Sequence, residues 1–168
     1  MPSVGLRQPV GPRRLRSYTM LINQKEIHVE WGDCDPAGIV YFPRYFEYGD
    51  SCTLALFEKA GLFKPALLEN FGIAGIPMVE VRAQYFVPSQ YGDTMIVESC
   101  IDQWGRTTFN VHHKFHKGNM VAVELFEKRA WVARISALPA RFKSQPIPEE
   151  IKQLFWGDLH RPAAAVIG

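Results

Sequence analysis

"WGDCDPAGIVYFPRYFEYGD", residues 31–50, is the stretch on which the fold turns. Asp33 and Asp35 stand one residue apart, a Pro and a Gly follow, and an aromatic, nearly uncharged run leads on to a third acid, Asp50. Carboxylates are costly beside apolar surface unless they are paired, hydrogen-bonded or needed for chemistry. Just upstream, "EIHVEW" (26–31) alternates strictly, with Ile27, Val29 and Trp31 on one face and Glu26, His28 and Glu30 on the other. That period predicts a half-buried strand. Downstream, the chain runs from Pro43 to Ala60 with Gly49 as its one breaker, and Gly61 follows. Pro at the first turn and Gly past the end predict a helix of about four or five turns. It is apolar over much of its circumference, as a buried helix is. A strand therefore ends, a loop presents Asp35, and a buried helix begins. Backbone N–H groups at such a helix start can hold a developing oxyanion opposite a carboxylate. The plainer alternative is capping, because Asp-Pro and Gly favour turns and an acid there is often only a cap.

Working outward, "PALLENF" (65–71), closed by Gly72, predicts a second, short helix. The segments 78–87, 93–104, 106–115 and 120–135 are rich in Val, Ile, Thr and aromatics and read as four strands in a meander, with "KGN" (117–119) as a hairpin turn. "PEEIKQLF" (148–155) predicts a last helix with two acids at the positive end of its dipole. One strand, one long helix and then a run of strands argue for an α+β fold with an antiparallel sheet wrapped around the helix.

With 168 residues the chain suits one domain. Its net charge of +2 misleads. Residues 1–19 hold Arg7, Arg13, Arg14 and Arg16 and no acid, which leaves 15 basic against 17 acidic residues in the rest. The domain itself gives no argument for nucleic-acid binding. Three prolines and two glycines in residues 1–19 predict a disordered basic tail, and residues 157–168 a C-terminal tail, around a domain at 20–156. Three cysteines without CxxC spacing fit a reducing cytoplasm, and no apolar run reaches the roughly 20 residues of a spanning helix, so no membrane insertion is expected.

Other chemistry reads weakly. In a strand His112 and His113 point to opposite faces, and His112 and His116 lie about 13 Å apart, too far to grip one ion. Outward polar positions are the expectation for all three. "DCDPAG" brushes against a calcium loop but offers Ala37 and Arg44 where oxygen ligands are needed. No metal or cofactor is expected. Cys34, between two carboxylates, is a poor thiolate.

The opening stretch resembles the signature of the 4-hydroxybenzoyl-CoA thioesterases, a branch of the hotdog-fold acyl-CoA thioesterases. "GDCDPAGIVYFPRY" carries the likeness most specifically, and it extends over roughly residues 22–156. The resemblance implies a hotdog fold, in which five antiparallel strands wrap a long central helix. It implies hydrolysis of an aromatic (benzoyl or hydroxybenzoyl) CoA thioester, with Asp35 as nucleophile or general base and the Phe42 backbone N–H polarising the carbonyl. Short- or medium-chain aliphatic esters are the alternative substrate, and a non-catalytic acyl-CoA-binding module the alternative class. Asp50 matches a helix acid that meets a ring hydroxyl, and Trp104, Arg106 and Arg129, with Lys128 beside them, match substrate contacts. The basic run expected after Trp104 is thinned here to "GRT" (105–107). The family also implies a homodimer or homotetramer with active sites at the subunit interface.

Overall fold

The computed structural model describes residues 18–136 and 141–158. Its centre is a five-stranded antiparallel sheet formed by β2 (Asn23–His28), β3 (Met78–Tyr85), β4 (Thr94–Trp104), β5 (Thr108–Lys117) and β6 (Met120–Ala130). Helix α1 (Arg44–Lys59) packs on β2, β4, β5 and β6, as the strand–helix–strands order requires. Pro43 is its N-cap, and Gly61, with φ +83°, lets the chain reverse just beyond its end. The short helix α2 (Lys64–Phe71) ends on left-handed Gly72. The hairpin between β5 and β6 turns through Gly118 at φ +59°.

Three expectations about the course of the strands need correction. The strands do not form a simple meander: the order is β2-β4-β5-β6-β3, so β3 lies at the far edge beside β6 and only β4, β5 and β6 follow one another. Strand β2 ends at His28, and the chain winds into a 3₁₀ turn over Trp31–Asp33, which leaves Trp31 79% exposed instead of facing the core. The run 120–135 breaks at buried Trp131, whose N–H bonds to the Thr107 carbonyl. Beyond it β7 (Val132–Ser136) leaves the sheet and pairs with β8 (Arg141–Ser144).

The domain is also slightly wider than expected. Strand β1 (Tyr18–Met20) pairs with β9 (Trp156–Asp158), just after helix α3 (Glu149–Leu154), so residues 18–19 and 157–158 belong to the fold. Residues 1–17 and 159–168 lie outside the described residues.

Helix α1 buries one stripe, Tyr45, Gly49, Cys52, Thr53, Leu56 and Phe57, at the three- and four-residue spacing of a single face. Two apolar clusters meet that stripe. Tyr45 and Cys52 join Met95, Val97, Phe115 and Leu125, while Leu56 and Phe57 join Ile101, Phe109, Val111 and Trp131. A polar band separates them: Thr53, Ser99, His113 and Glu127, each fully or almost fully buried, sit at the positions between the two clusters on α1, β4, β5 and β6. His113 points away from His112 as the strand period demands, but it points inward, so the expectation of an outward polar residue is wrong. Phe109, Val111 and Phe115 share its parity and carry it into the core.

Candidate active site

The two opening acids have different tasks. Asp33 is structural: its Oδ2 accepts the Glu30 N–H at 2.9 Å and closes the 3₁₀ turn, while Oδ1 lies 3.6 Å from the Arg44 Nε at the start of α1. Asp35 is half-buried, and its Oδ1 accepts the Ala37 N–H at 2.8 Å in a tight local turn. Its Oδ2 has no partner among the described residues. The capping role is therefore real for Asp33 and occupies only one oxygen of Asp35.

Around Asp35 the backbone forms a miniature hairpin. The Asp35 N–H bonds to the Ile39 carbonyl, the Tyr41 N–H bonds to the Asp33 carbonyl, and Gly38 turns the chain at φ +79°. The Val40 N–H reaches the Ser89 carbonyl at 2.8 Å and ties the hairpin to the loop before β4. Three amides at the head of α1 are used in the first turn: those of Arg44, Tyr45 and Phe46 bond to the carbonyls of Tyr41, Phe42 and Pro43. Pro43 has no N–H. The Phe42 N–H finds no acceptor among the described residues, so it is a free donor at the positive end of a 16-residue helix dipole.

Asp50 lies on the wall of a cavity of about 500 Å³ between α1, α2 and the segment before β3. Leu54, Phe57, Leu67 and Ile76 make most of the lining apolar, and Asp50, Glu58, Lys64 and Arg129 are the charged residues on it. Asp35 and Phe42 are not among its walls.

Arg129 is buried and paired, where a contact to the CoA phosphates would be exposed. It is 4% exposed, and its guanidinium bonds to Asp50 Oδ1 at 2.7 Å, Glu127 Oε2 at 2.7 Å and the Ile76 carbonyl at 3.2 Å. Glu127 in turn accepts the Thr53 hydroxyl at 2.8 Å and lies 3.5 Å from His113 Nε2, while Ser99 Oγ meets His113 Nδ1 at 2.7 Å. Burial alone would raise the Glu127 carboxyl, but the His113 and Arg129 contacts outweigh it and hold the pKa down at about 2. Burial likewise works against the Arg129 charge, and Glu127 and then Asp50 more than restore it.

Trp104 is partly buried and packs on the core, with its ring 5.4 Å from those of both Phe109 and Phe155. Arg106 is exposed in the β4–β5 turn, and Lys128 is exposed on β6. Sequence reasoning missed His113, Glu127, Thr53 and Ser99. Strand parity could have found two of them, since Glu127 shares the inward face of Val123 and Leu125 as His113 shares that of Val111 and Phe115. No cluster of three or more potential metal ligands occurs among the described residues, and no helix there is long and apolar enough to cross a membrane.

Comparison with known proteins agrees with this architecture. Residues 29–155 match the model of the thioesterase-like superfamily. A 4-hydroxybenzoyl-CoA thioesterase of Pseudomonas sp. strain CBS-3 is 38% identical over 100 residues, covering 58% of this chain and 67% of that protein. Among solved structures, an Asp-to-Asn mutant of 4-hydroxybenzoyl-CoA thioesterase complexed with 4-hydroxybenzoyl-CoA has a TM-score of 0.74 at 26% identity, covering 80% of this chain and 98% of that one. A gentisyl-coenzyme A thioesterase has a TM-score of 0.66 at 27% identity, covering 79% and 98%. The match over residues 29–155, with a fold that superposes on theirs, places the chain in the thioesterase-like superfamily, as a hotdog-fold thioester hydrolase.

Proposed function

We propose that the protein hydrolyses an aromatic acyl-CoA thioester, benzoyl or hydroxybenzoyl, with Asp35 as the reacting carboxylate and the Phe42 N–H as the oxyanion donor. One observation carries this reading: the loop that leaves Asp35 Oδ2 without a partner runs directly into a helix whose leading amide, that of Phe42, also has none. The thioester carbonyl enters between them. Asp35 Oδ2 bonds to the carbonyl carbon, and negative charge moves to the oxygen facing Phe42, where the amide and the dipole of α1 stabilise it. Collapse breaks the C–S bond, releases CoA as thiolate, and leaves a mixed anhydride. Water then hydrolyses the anhydride to the free acid and restores the Asp35 carboxylate. In the general-base variant Asp35 takes a proton from the attacking water instead.

The apolar cavity with Asp50 on its wall suits a ring bearing a hydroxyl. Its volume is about three times the ~150 Å³ void that takes up benzene. Exposed Arg106 and Lys128 suit the phosphates of CoA. The relatives' names, 4-hydroxybenzoyl-CoA and gentisyl-CoA thioesterase, support the aromatic substrate. Edge strand β3 supports a dimer, since Val79, Val81 and Tyr85 are exposed along it. Asp35 of one protomer then serves the cavity of the other.

Release of free CoA from benzoyl-, 4-hydroxybenzoyl-, phenylacetyl-, butyryl- and hexanoyl-CoA tests this. Turnover of the benzoyl esters, lowered about 100-fold or more in Asp35→Asn, is expected. A preference for the aliphatic esters keeps the mechanism and discards the substrate. Ester binding with no turnover leaves a binding module.

A further inference from the structure

The sequence places a lone glycine, Gly49, inside α1 immediately before Asp50. A Cβ at position 49 would stand 2.2 Å from Leu125 Cδ2 and 2.9 Å from Glu127 Oε1. The missing side chain therefore lets β6 press its buried carboxylate against the helix. Glu127 is held there by Thr53 from the helix, and His113, 3.5 Å away, is itself bound to Ser99. Glu127 holds Arg129 through Nε, and the Ile76 carbonyl holds it through Nη1, so a rigid planar fork is fixed at two points before it reaches Asp50. The third bond, Nη2 to Asp50 Oδ1 at 2.7 Å, fixes one oxygen of a carboxylate that is otherwise 56% exposed. Its other oxygen, Oδ2, has no partner among the described residues.

We propose that Arg129, braced from behind by Glu127, is a positioning residue for acyl-group selection: it clamps Asp50 so that a single carboxylate oxygen is offered to a hydrogen-bond donor on the acyl group. This rests on the reading of Asp50 as the group that meets a ring hydroxyl. A free carboxylate on a helix surface samples several rotamers and accepts from water as readily as from substrate. One fixed by a charge-assisted bond to a buried guanidinium keeps its direction. The selection is for an acyl ring carrying a hydroxyl over the same ring without one.

The test is the ratio of kcat/KM for 4-hydroxybenzoyl-CoA to that for benzoyl-CoA, measured in wild type, Asp50→Asn, Arg129→Gln and the pair Glu127→Gln/Arg129→Gln. The pair removes both buried charges together and so remains informative where Arg129→Gln alone does not fold. The expected result is a ratio that falls about tenfold in Asp50→Asn, by a similar factor in the Arg129 variants, and no further when Asp50→Asn is added to them. If Asp50→Asn lowers the ratio while the Arg129 variants keep it, even with both esters slowed equally, Asp50 needs no clamp and the proposal is overturned, with the reading of Asp50 intact. An unchanged ratio in Asp50→Asn overturns both.

Discussion

Acidification should erode one specific part of the stability of this fold, the part held by Glu127. Its side chain is fully buried, and its pKa is about 2 against an ordinary 4.5. At about 1.36 kcal/mol per pH unit, the ionised Glu127 favours the folded state by about 3 kcal/mol. The sign follows from the depressed value: between pH 2 and 4.5 the unfolded chain binds a proton that the folded chain refuses. The stabilisation is complete above pH 4.5 and drains away as pH falls toward 2. Glu127→Gln abolishes this titration while keeping the shape. The stability gap between wild type and Glu127→Gln should therefore narrow by about 2 kcal/mol from pH 7 to pH 3. Urea unfolding followed by tryptophan fluorescence measures the gap at each pH, since the chain has four tryptophans and Trp131 is buried. The surface carboxylates titrate alike in both proteins and cancel. A gap that stays constant within about 0.5 kcal/mol over that range would show that Glu127 is not an ionised, paired carboxylate in the fold, and the clamp on Asp50 would lose its anchor.

Gly49→Ala should cost about 1–3 kcal/mol by overpacking, despite the gain of about 1 kcal/mol in helix propensity, because the new methyl meets Leu125 and the Glu127 carboxylate. Thermal melts measure the loss, and an unchanged or raised Tm would mean that β6 yields at this point. Lysines at Val79 and Val81 together should dissociate the proposed dimer, because charge on an edge strand opposes pairing with a second edge. Light scattering should then show a monomer and CoA release should fall with it. A monomeric variant with full activity would place the whole site within one protomer.

The sequence by itself determined a good deal. Period-two alternation at 26–29, the Pro43 and Gly61 boundaries and the later β-rich runs specified a long helix followed by an antiparallel sheet, because burial of one face enforces those periods. The Asp-Pro-Ala-Gly turn located Asp35 and the helix head, since a local hairpin of nine residues closes through its own backbone bonds. What lies beyond that depended on contacts between distant residues. Nothing local in 78–85 says that β3 pairs with β6 at the far edge, because strand partners are chosen by the whole sheet. Nothing near Trp31 says that the strand has already ended at His28. Arg129 looks in sequence like a charge at the end of a strand. It is buried because Asp50, 79 positions away, and Glu127 beside it supply two carboxylates, and because Gly49 leaves room for Glu127. A charge can enter a core only where its partners are already assembled, and that assembly is decided by tertiary structure.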